Sequence, residues 1–251
     1  MNYQKEFDEL ILEYPKEFRS ILINNRSRIL WQVRVVVDSI KKGGRLIDIG
    51  AGVVPFMLIC QRLGYETIVL DDFGDDGYKS EALQTVLDMH TNEGVIVKNV
   101  DIFNMDLNAF ENGEYDLVFT SDSMEHWHHS PKKLFRSLWT GMKDDALFWL
   151  GVPNCVNLRK RLTVPFGRGK WSKMQDWYEP DLFRGHVREP DTDDLFYIGR
   201  DLGARRMKIV GRNWIGYRHP STVVRKVTPL VDRILQKFPC VCADIYLFAW
   251  K

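Results

Sequence analysis

The sequence has few cysteines and no long apolar run. Its four cysteines lie in or near apolar segments, and no pair has the spacing of a zinc site or of a disulfide framework. We therefore expect reduced thiols. Acids interrupt the apolar residues at the N-terminus, so the signal-peptide pattern is missing, and no later segment approaches about 18 consecutive apolar residues. These absences predict a cytoplasmic protein without a membrane span.

The chain also lacks a strong charge of either sign. Lys and Arg number 35 against 34 Asp and Glu, so the net charge is +1. Such a protein has no overall field that attracts a nucleic-acid backbone, and we expect no nucleic-acid partner. With 251 residues, 45% of them apolar and 27% charged, the composition is that of a folded globular protein. One α/β domain with insertions fits this length best.

The spacing of apolar residues changes along the chain from helical to strand-like. Apolar residues from Ile29 to Ile40 fall at helical spacing and Gly43-Gly44 ends that helix, which predicts an N-terminal helical segment over residues 1–44. Five short apolar runs then alternate with helical stretches: RLIDIG, TIVLDD, GVIVKNVD, YDLVFTSD and ALFWLGVPN. This alternation is typical of a doubly wound, mostly parallel α/β sheet with its ligand at the carboxyl ends of the strands.

The rest of the predicted domain, which spans residues 45–251, departs from this alternation. Residues 154–190 are rich in Gly, Pro, basic and aromatic residues, and we interpret them as a cap inserted over the sheet edge. A helix over 191–203, a strand over 206–210, a helix over 221–238 and a strand over 243–250 follow, so that a closing hairpin brings the sheet to seven strands. The helix over 221–238 is basic and amphipathic. Packing of its apolar face on the sheet is favoured over attachment to a membrane surface.

A glycine-containing turn follows the first predicted strand. Gly50 and Gly52 allow the backbone to approach a ligand, and the amides at the start of the next helix offer donors to an anionic group. Asp48 precedes the turn, and Val54 occupies the position of the third glycine of dinucleotide-binding enzymes. An acid here opposes a pyrophosphate and suits a zwitterionic ligand. The pattern therefore disfavours a nicotinamide dinucleotide.

Acids also follow the second and third predicted strands. Asp71 and Asp72 come about 20 residues after Asp48, the interval at which a carboxylate binds ribose hydroxyls in nucleotide-binding sheets. The choice between these two acids stays open. After the third strand, Asp101 can accept a hydrogen bond from an adenine amino group while Ile102 covers the ring face.

These motifs resemble those of the class I S-adenosylmethionine-dependent methyltransferases. The likeness rests on LIDIGAG, LDD, VDIF, YDLVFTSDSMEHW and VPN, and covers roughly residues 45–154 and 185–210. It implies a Rossmann-like methyltransferase fold with S-adenosyl-L-methionine as the cofactor. It also implies that Gly50 and Gly52 line the methionine moiety, that Asp71 holds the ribose, and that Asp101 and Ile102 meet the adenine. Asp48, Asp72 and Asp122 complete the candidate cofactor contacts.

Histidines that follow the fourth predicted strand, with one in the cap, are the candidate catalytic groups. A hydroxyl acceptor needs a base during methyl transfer, and an imidazole titrates near neutral pH. His126 is the first candidate, and His128, His129 and His186 are the alternatives.

A divalent metal is a further possibility at the same place. Over this short stretch, Asp122, Glu125 and His126 resemble the metal-binding acids and histidine of ubiquinone-pathway O-methyltransferases. Acids at such a position serve equally as helix-start charges. We therefore expect no metal.

The predicted cap indicates the chemical class of the methyl acceptor. Its stretch over 156–173 contains six basic residues and no acid, which fits a phosphate or carboxylate, and neighbouring aromatic side chains offer stacking faces to a sugar or base. A run of charge is also typical of a solvated face, and this alternative stays open. The candidate substrate-binding residues are Asn154, Arg159, Arg161, Trp171, Trp177, Tyr178, His186 and Arg188.

The predicted function is S-adenosylmethionine-dependent O-methylation of a sugar, a glycan intermediate or a related small metabolite, including a phosphorylated one. One alternative is a non-catalytic module that binds S-adenosylmethionine or S-adenosylhomocysteine and recruits a protein partner. Another is a nucleotide-cofactor oxidoreductase, which Asp48 and Val54 disfavour. The sequence leaves the methylated atom and the oligomeric state open.

Overall fold

A seven-stranded sheet organises the fold. The computed structural model describes residues 3–74, 81–110, 112–169 and 172–251. The strands are β1 Arg45–Ile49, β2 Glu66–Asp71, β3 Ile96–Asn99, β4 Tyr115–Ser121, β5 Met142–Pro153, β6 Arg206–Arg212 and β7 Asp244–Trp250. They lie in the order β3-β2-β1-β4-β5-β7-β6. The predicted doubly wound, mostly parallel sheet is confirmed.

Helices connect the strands and precede the first of them. They are α1 Tyr3–Glu13, α2 Lys16–Asn24, α3 Arg26–Ser39, α4 Phe56–Arg62, α5 Glu81–Asn92, α6 Lys132–Thr140, α7 Leu158–Thr163, α8 Met174–Tyr178, α9 Thr192–Asp201, α10 Trp214–Tyr217 and α11 Thr222–Leu235. Among the described helices, none combines the length and apolar character needed to cross a bilayer.

The chain divides into two compact units. Unit 1 runs to Thr120 and resumes over Leu134–Leu147, and unit 2 comprises Ser121–Lys133 and Phe148–Lys251. The first therefore contains the glycine turn and the acids of the first three strands. The second contains the histidines, the cap and the closing hairpin.

Unit 1 is built on parallel strands. Ile47 of β1 lies beside Ile68 of β2 on one side and Val118 of β4 on the other. Four of the five β1 residues are buried, as expected for a strand that is covered on both faces. Helix α3 buries Ile29 and Val33, so its predicted apolar side faces inward.

Unit 2 contains the antiparallel hairpin of β6 and β7. The strand β7 is buried along almost its whole length and supplies aromatic residues to the core. Trp149 of β5 stacks on Phe248 with ring centroids 4.9 Å apart. The indole N–H of Trp214 donates to the Tyr246 hydroxyl at 2.7 Å, which satisfies a buried polar group. The predicted closing hairpin is thus present.

The segment over 154–190 contains the short helices α7 and α8. The backbone N–H of Cys155 donates to the carbonyl of Pro190 at 3.2 Å, so the two ends of the segment lie side by side. Between these ends, Phe166 is 81% exposed and Tyr178 is 73% exposed. The predicted aromatic residue Trp171 lies outside the described residues.

Helix α11 turns its apolar side to the solvent, which corrects the predicted packing. Its buried residues are Thr228 and Asp232. Val223 and Leu230, by contrast, are 70% and 66% exposed. The prediction that the apolar face packs on the sheet was wrong. The inward side of α11 instead carries Asp232, which accepts hydrogen bonds from Asn213 and Tyr217 inside unit 2.

Candidate active site

The glycine turn of unit 1 is held against the end of β2. Gly50 and Gly52 have φ values of 74° and 55°, in the left-handed region that glycine adopts without a steric penalty. The N–H of Gly50 donates to the carbonyl of Leu70 at 2.8 Å. The N–H of Gly52 donates to Oδ2 of Asp71, also at 2.8 Å. Asp48, the glycine turn and Asp71 therefore lie together.

Asp48 is a buried acid beneath this turn. Its side chain is 4% exposed, and its Oδ1 has no hydrogen-bond partner among the described residues. Burial and, second, the negative charge of Asp71 hold the pKa of Asp48 well above its usual range. A buried carboxyl oxygen with unused acceptor capacity fits the ammonium group of an amino-acid moiety, whose positive charge would favour the carboxylate form.

The structure separates the two acids that end β2. Asp71 accepts hydrogen bonds from Gly52 and from the N–H of Phe73, the latter at 2.6 Å. Asp72 is exposed and accepts from the N–H of Gly74. Because a carboxylate has about four lone-pair sites, two backbone bonds can orient Asp71 and still allow ribose hydroxyls to bind. Asp71 is accordingly the better placed of the two.

The third strand leads to Asp101 and Ile102 in different environments. Ile102 is buried, and Asp101 is exposed. The carboxylate of Asp101 accepts from the N–H of Phe103 at 2.9 Å and from the Asn104 amide at 2.6 Å, so the local turn fixes its direction. This arrangement suits the predicted adenine contacts, in which the acid accepts a hydrogen bond and the aliphatic side chain packs.

The end of β4 leads into a tight turn in unit 2. Asp122 has a φ of 52°, an uncommon conformation for a residue other than glycine, and its N–H donates to the carbonyl of Gly151 at 3.0 Å. A 3₁₀ turn over Met124–His126 follows. The carbonyl of Glu125 accepts from the N–H of Val187 at 2.7 Å, which ties the end of the cap to this turn.

Two of the predicted histidines meet at this turn. The rings of His126 and His186 lie edge to face with their centroids 4.8 Å apart. Nδ1 of His126 lies 2.7 Å from the carbonyl oxygen of Arg184, which can only accept. Nδ1 of His186 lies 2.7 Å from Oε1 of Glu189. When each Nδ1 donates in this way, the lone pair of the neutral ring is on Nε2.

Glu189 is a functional candidate that the sequence analysis missed. Burial opposes its ionisation, but hydrogen bonds from His186 and Lys160 outweigh that effect and lower the pKa of Glu189 to about 2. The acid is therefore ionised at neutral pH and can orient the imidazole of His186. The spacing of His186 and Glu189, three residues apart in GHVRE, was the available signal.

The other two predicted histidines are not part of this pair. His128 is exposed, and its Nε2 lies 3.2 Å from the carbonyl oxygen of Phe183. His129 is also exposed. Their placement favours His126 and His186 as the catalytic candidates.

Three side chains that could hold a metal ion lie together, and they differ from the set that the sequence resemblance offered. One donor atom from each of Glu125, His126 and His186 lies within 4.8 Å of the others. Asp122 does not belong to this group within the part of the chain that the structure describes, and the cap histidine takes its place. A carboxylate with two imidazoles suits a divalent cation such as Zn²⁺, and the bond from His186 to Glu189 resembles the outer hydrogen bond of many metal-bound histidines.

Two of the predicted substrate residues are committed to the protein backbone. Asn154 is fully buried, and its amide donates to the carbonyls of Cys240 and Cys242 while its Oδ1 accepts from Val156. This corrects its assignment as a substrate contact, because the side chain has a structural use. The guanidinium of Arg161 donates to the carbonyls of Val156 and Cys240.

Four further cap candidates are exposed. Arg159 is exposed, and Arg188 pairs with the carboxylate of Asp194 at 3.2 Å. Trp177 and Tyr178 on α8 are 57% and 73% exposed. Lys160, one of the six basic residues, pairs with Glu189. The cap is thus less positive than its sequence indicates, and its aromatic faces are open.

Comparisons with known proteins agree with the fold and the motifs. The model of a family described as a methyltransferase domain matches residues 21–204. No curated protein matches the chain significantly. An S-adenosylmethionine-dependent methyltransferase from Archaeoglobus fulgidus shares 19% identity at a TM-score of 0.54, over 92% of this chain and 99% of that one.

Two further solved structures have the same fold. A protein from Thermotoga maritima, described as a possible histamine N-methyltransferase, shares 14% identity over the whole of both chains at a TM-score of 0.56. A cyclopropane-fatty-acyl-phospholipid synthase-like protein from Lactobacillus casei shares 14% identity over 98% of each chain at a TM-score of 0.58. The family match covers most of the chain, and it sets aside the oxidoreductase alternative. The chain belongs to the methyltransferase domain family, within the class I S-adenosylmethionine-dependent methyltransferases, and S-adenosylmethionine is its cofactor.

Proposed function

We propose that the protein transfers a methyl group from S-adenosylmethionine to a hydroxyl group of a sugar or a related, in some cases phosphorylated, small metabolite. The observation that carries this proposal is the pair of His126 and His186 with the ionised Glu189 beside it. A base of this kind is needed for a hydroxyl acceptor, which has to lose its proton when the carbon–oxygen bond forms.

In this proposal the residues of unit 1 hold the cofactor. Gly50 and Gly52 let the backbone of the turn approach the methionine moiety, and Asp48 accepts from its ammonium group. Asp71 accepts from the ribose hydroxyls, while Asp101 and Ile102 contact the adenine. The bound cofactor supplies an already activated methyl group, so the protein's remaining tasks are to orient the acceptor and to remove its proton.

The proton of the acceptor hydroxyl passes to Nε2 of His186. Glu189 holds the Nδ1–H of that ring at 2.7 Å and stabilises the imidazolium that forms. His126, whose ring meets that of His186, orients the acceptor or relays the proton. Glu189 acts through His186 and is therefore a positioning residue.

The cap provides the features for the acceptor's other groups. Trp177 and Tyr178 present exposed aromatic faces, which stack on the apolar faces of sugar rings. Arg159 and Arg188 favour a phosphate or carboxylate on the acceptor. These features support a small polar acceptor and do not discriminate among individual sugars.

Metal-assisted methyl transfer is the second candidate, because Glu125, His126 and His186 bring three donor atoms together. In that case these residues would hold a divalent cation, which lowers the pKa of a bound hydroxyl. Turnover would then fall on treatment with a chelator and return with added Zn²⁺ or Mg²⁺. Turnover that is unchanged by the chelator favours the imidazole base.

The acceptor class is tested with labelled S-adenosylmethionine and a panel of acceptors. Monosaccharides, sugar phosphates and phenols are compared with amines and thiols, and the methylated atom is identified by mass spectrometry. We expect label on a hydroxyl oxygen. Methylation confined to amines or thiols would contradict the proposal, and tight cofactor binding without any S-adenosylhomocysteine release would support the non-catalytic module.

The roles of His186 and Glu189 are tested on the acceptor that this panel identifies. His186→Ala should lower kcat about 100-fold or more, as expected for loss of a general base. Glu189→Gln should lower kcat less, and Glu189→Asp should restore part of it. His219→Ala is the matched control, because His219 is an exposed histidine of the same unit outside the pair. Equal activity of the His186 and His219 variants would eliminate His186 as the base.

A further inference from the structure

Helix α11 is amphipathic, but its apolar side is exposed and its polar side is buried, which is the opposite of a core helix. Six apolar residues of the helix are between 37% and 70% exposed: Val223, Val224, Val227, Leu230, Val231 and Ile234. Just beyond the helix, Phe238 is 59% exposed. A group of exposed apolar residues of this kind on one face of a folded protein is typical of an interaction site.

The inward side of the helix is polar and fully bonded. Asp232 is 1% exposed and accepts hydrogen bonds from Asn213, Tyr217 and Gln236. The hydroxyl of the buried Thr228 donates to the carbonyl of Val224 at 2.7 Å. These contacts fix the orientation of α11, because turning the helix to bury its valines would break the hydrogen bonds of a buried carboxylate.

An apolar groove extends the exposed face toward α10. It has a volume of about 380 Å³ and is bounded mainly by the valines of α11, together with Asn213 and Gly216. Ile215, next to Gly216 in the sequence of α10, is 53% exposed. The apolar surface therefore involves both helices.

The charges around this surface have one sign. The segment over 214–238 contains five basic residues and a single acid, and that acid is the buried Asp232. With about 3.6 residues per turn, Lys226 and Arg233 fall together on one flank of the apolar stripe, and Lys237 follows just beyond the helix. All three are exposed. The rest of the chain is nearly balanced in charge, so this excess is local.

We propose that α11 and α10 form a docking surface for an anionic lipid bilayer, with α11 lying in the plane of the interface. The apolar stripe would enter the boundary between headgroups and acyl chains, and the basic flank would contact anionic headgroups, which is the arrangement of interfacial amphipathic helices. This inference concerns the location of the enzyme and goes beyond the proposed function.

The charge pattern favours a bilayer over a second copy of the chain. In a symmetric dimer that packs the two α11 helices antiparallel, their basic flanks would lie on the same side and face one another; packed in parallel, neither flank would meet an acid of the partner's segment. The exposed surface of the segment offers no acid to balance them. A bilayer that contains anionic lipids supplies both the apolar layer and the opposite charge.

The test measures co-sedimentation of the full-length protein with vesicles of phosphatidylcholine alone and of phosphatidylcholine mixed with phosphatidylglycerol. We expect binding to the mixed vesicles that weakens at high salt, and little binding to phosphatidylcholine. Lys226→Glu combined with Arg233→Glu should weaken binding at least about tenfold, since each basic residue near the surface contributes to the attraction. Leu230→Ser combined with Ile234→Ser should have a similar effect.

Matched variants in unit 1 control for net charge and surface hydrophobicity. Lys41→Glu combined with Lys42→Glu changes the same charge at exposed positions. Leu12→Ser changes a leucine that is 69% exposed, close to the 66% of Leu230. Both controls should bind like the wild type.

Three results would overturn the proposal. They are failure of the wild type to bind the mixed vesicles at low salt, binding by the α11 variants equal to that of the wild type, and an equal loss in the controls. Self-association that Leu230→Ser with Ile234→Ser abolishes, without vesicle binding, would assign the surface to a second copy of the chain.

Discussion

Helices α3 and α11 have 14 residues each and both carry apolar residues at helical spacing, yet they orient these residues in opposite directions. Helix α3 buries Ile29, Val33 and Val36. Helix α11 exposes its valines and buries Thr228 and Asp232. The comparison teaches that periodicity identifies the two faces of a helix and does not decide which face points inward. The partners on neighbouring elements decide that.

The first and largest test compares two isoleucines. Ile29 of α3 is 0% exposed, and Ile234 of α11 is 56% exposed. Ile29→Ala should lower the free energy of unfolding by about 2 to 5 kcal/mol, because it leaves a cavity in the core. Ile234→Ala should change it by less than about 0.5 kcal/mol. Urea unfolding of both variants checks this, and equal losses would mean that α11 also packs through its apolar side.

The second test compares two aspartates on the same helices. Asp232→Ala should lower the free energy of unfolding by about 2 to 3 kcal/mol, because buried donors lose their charged acceptor. Asp38→Ala on α3 removes only an exposed ion pair with Arg34 and should cost about 0.5 kcal/mol or less. Thermal unfolding at one pH measures both. A mild effect at Asp232 would show that polar contacts do not set the orientation of α11.

The third and smallest test compares a hydrogen-bonded acid with an exposed one, the two adjacent aspartates at the end of β2. Asp71 is bonded to the glycine turn, and Asp72 is exposed. Asp71→Ala should weaken S-adenosylmethionine binding at least tenfold, or about 1.4 kcal/mol, whereas Asp72→Ala should leave it nearly unchanged. Isothermal titration calorimetry gives both affinities. The reverse result would assign the ribose contact to Asp72.

Local patterns were sufficient to predict much of the fold. The apolar runs of β1, β2 and β4 are buried on both faces. A short continuous apolar run therefore predicts both that the segment is a strand and that both of its faces are covered. The glycine turn was predictable because its backbone needs positive φ values, which Gly50 and Gly52 adopt without a steric penalty. These features depend on residues that are neighbours in the sequence.

The parts that were missed depend on residues far apart in the sequence. The pairing of His126 with His186 brings together positions on β4's connecting turn and on the cap, and no local pattern reports that contact. The hydrogen bonds from the Asn154 amide to the carbonyls of Cys240 and Cys242 likewise join residues far apart in the sequence. The orientation of α11 required knowledge of Asn213 and Tyr217, which provide the polar contacts of Asp232.

The hydrogen bond between Cys155 and Pro190 has an evolutionary consequence. It closes the base of the inserted segment, so the stretch between these residues is a loop whose two stems are already joined. Val187, next to His186, is independently tied to Glu125. Insertions and deletions in the outer part of the loop therefore need not move His186, which our proposal makes the proton acceptor.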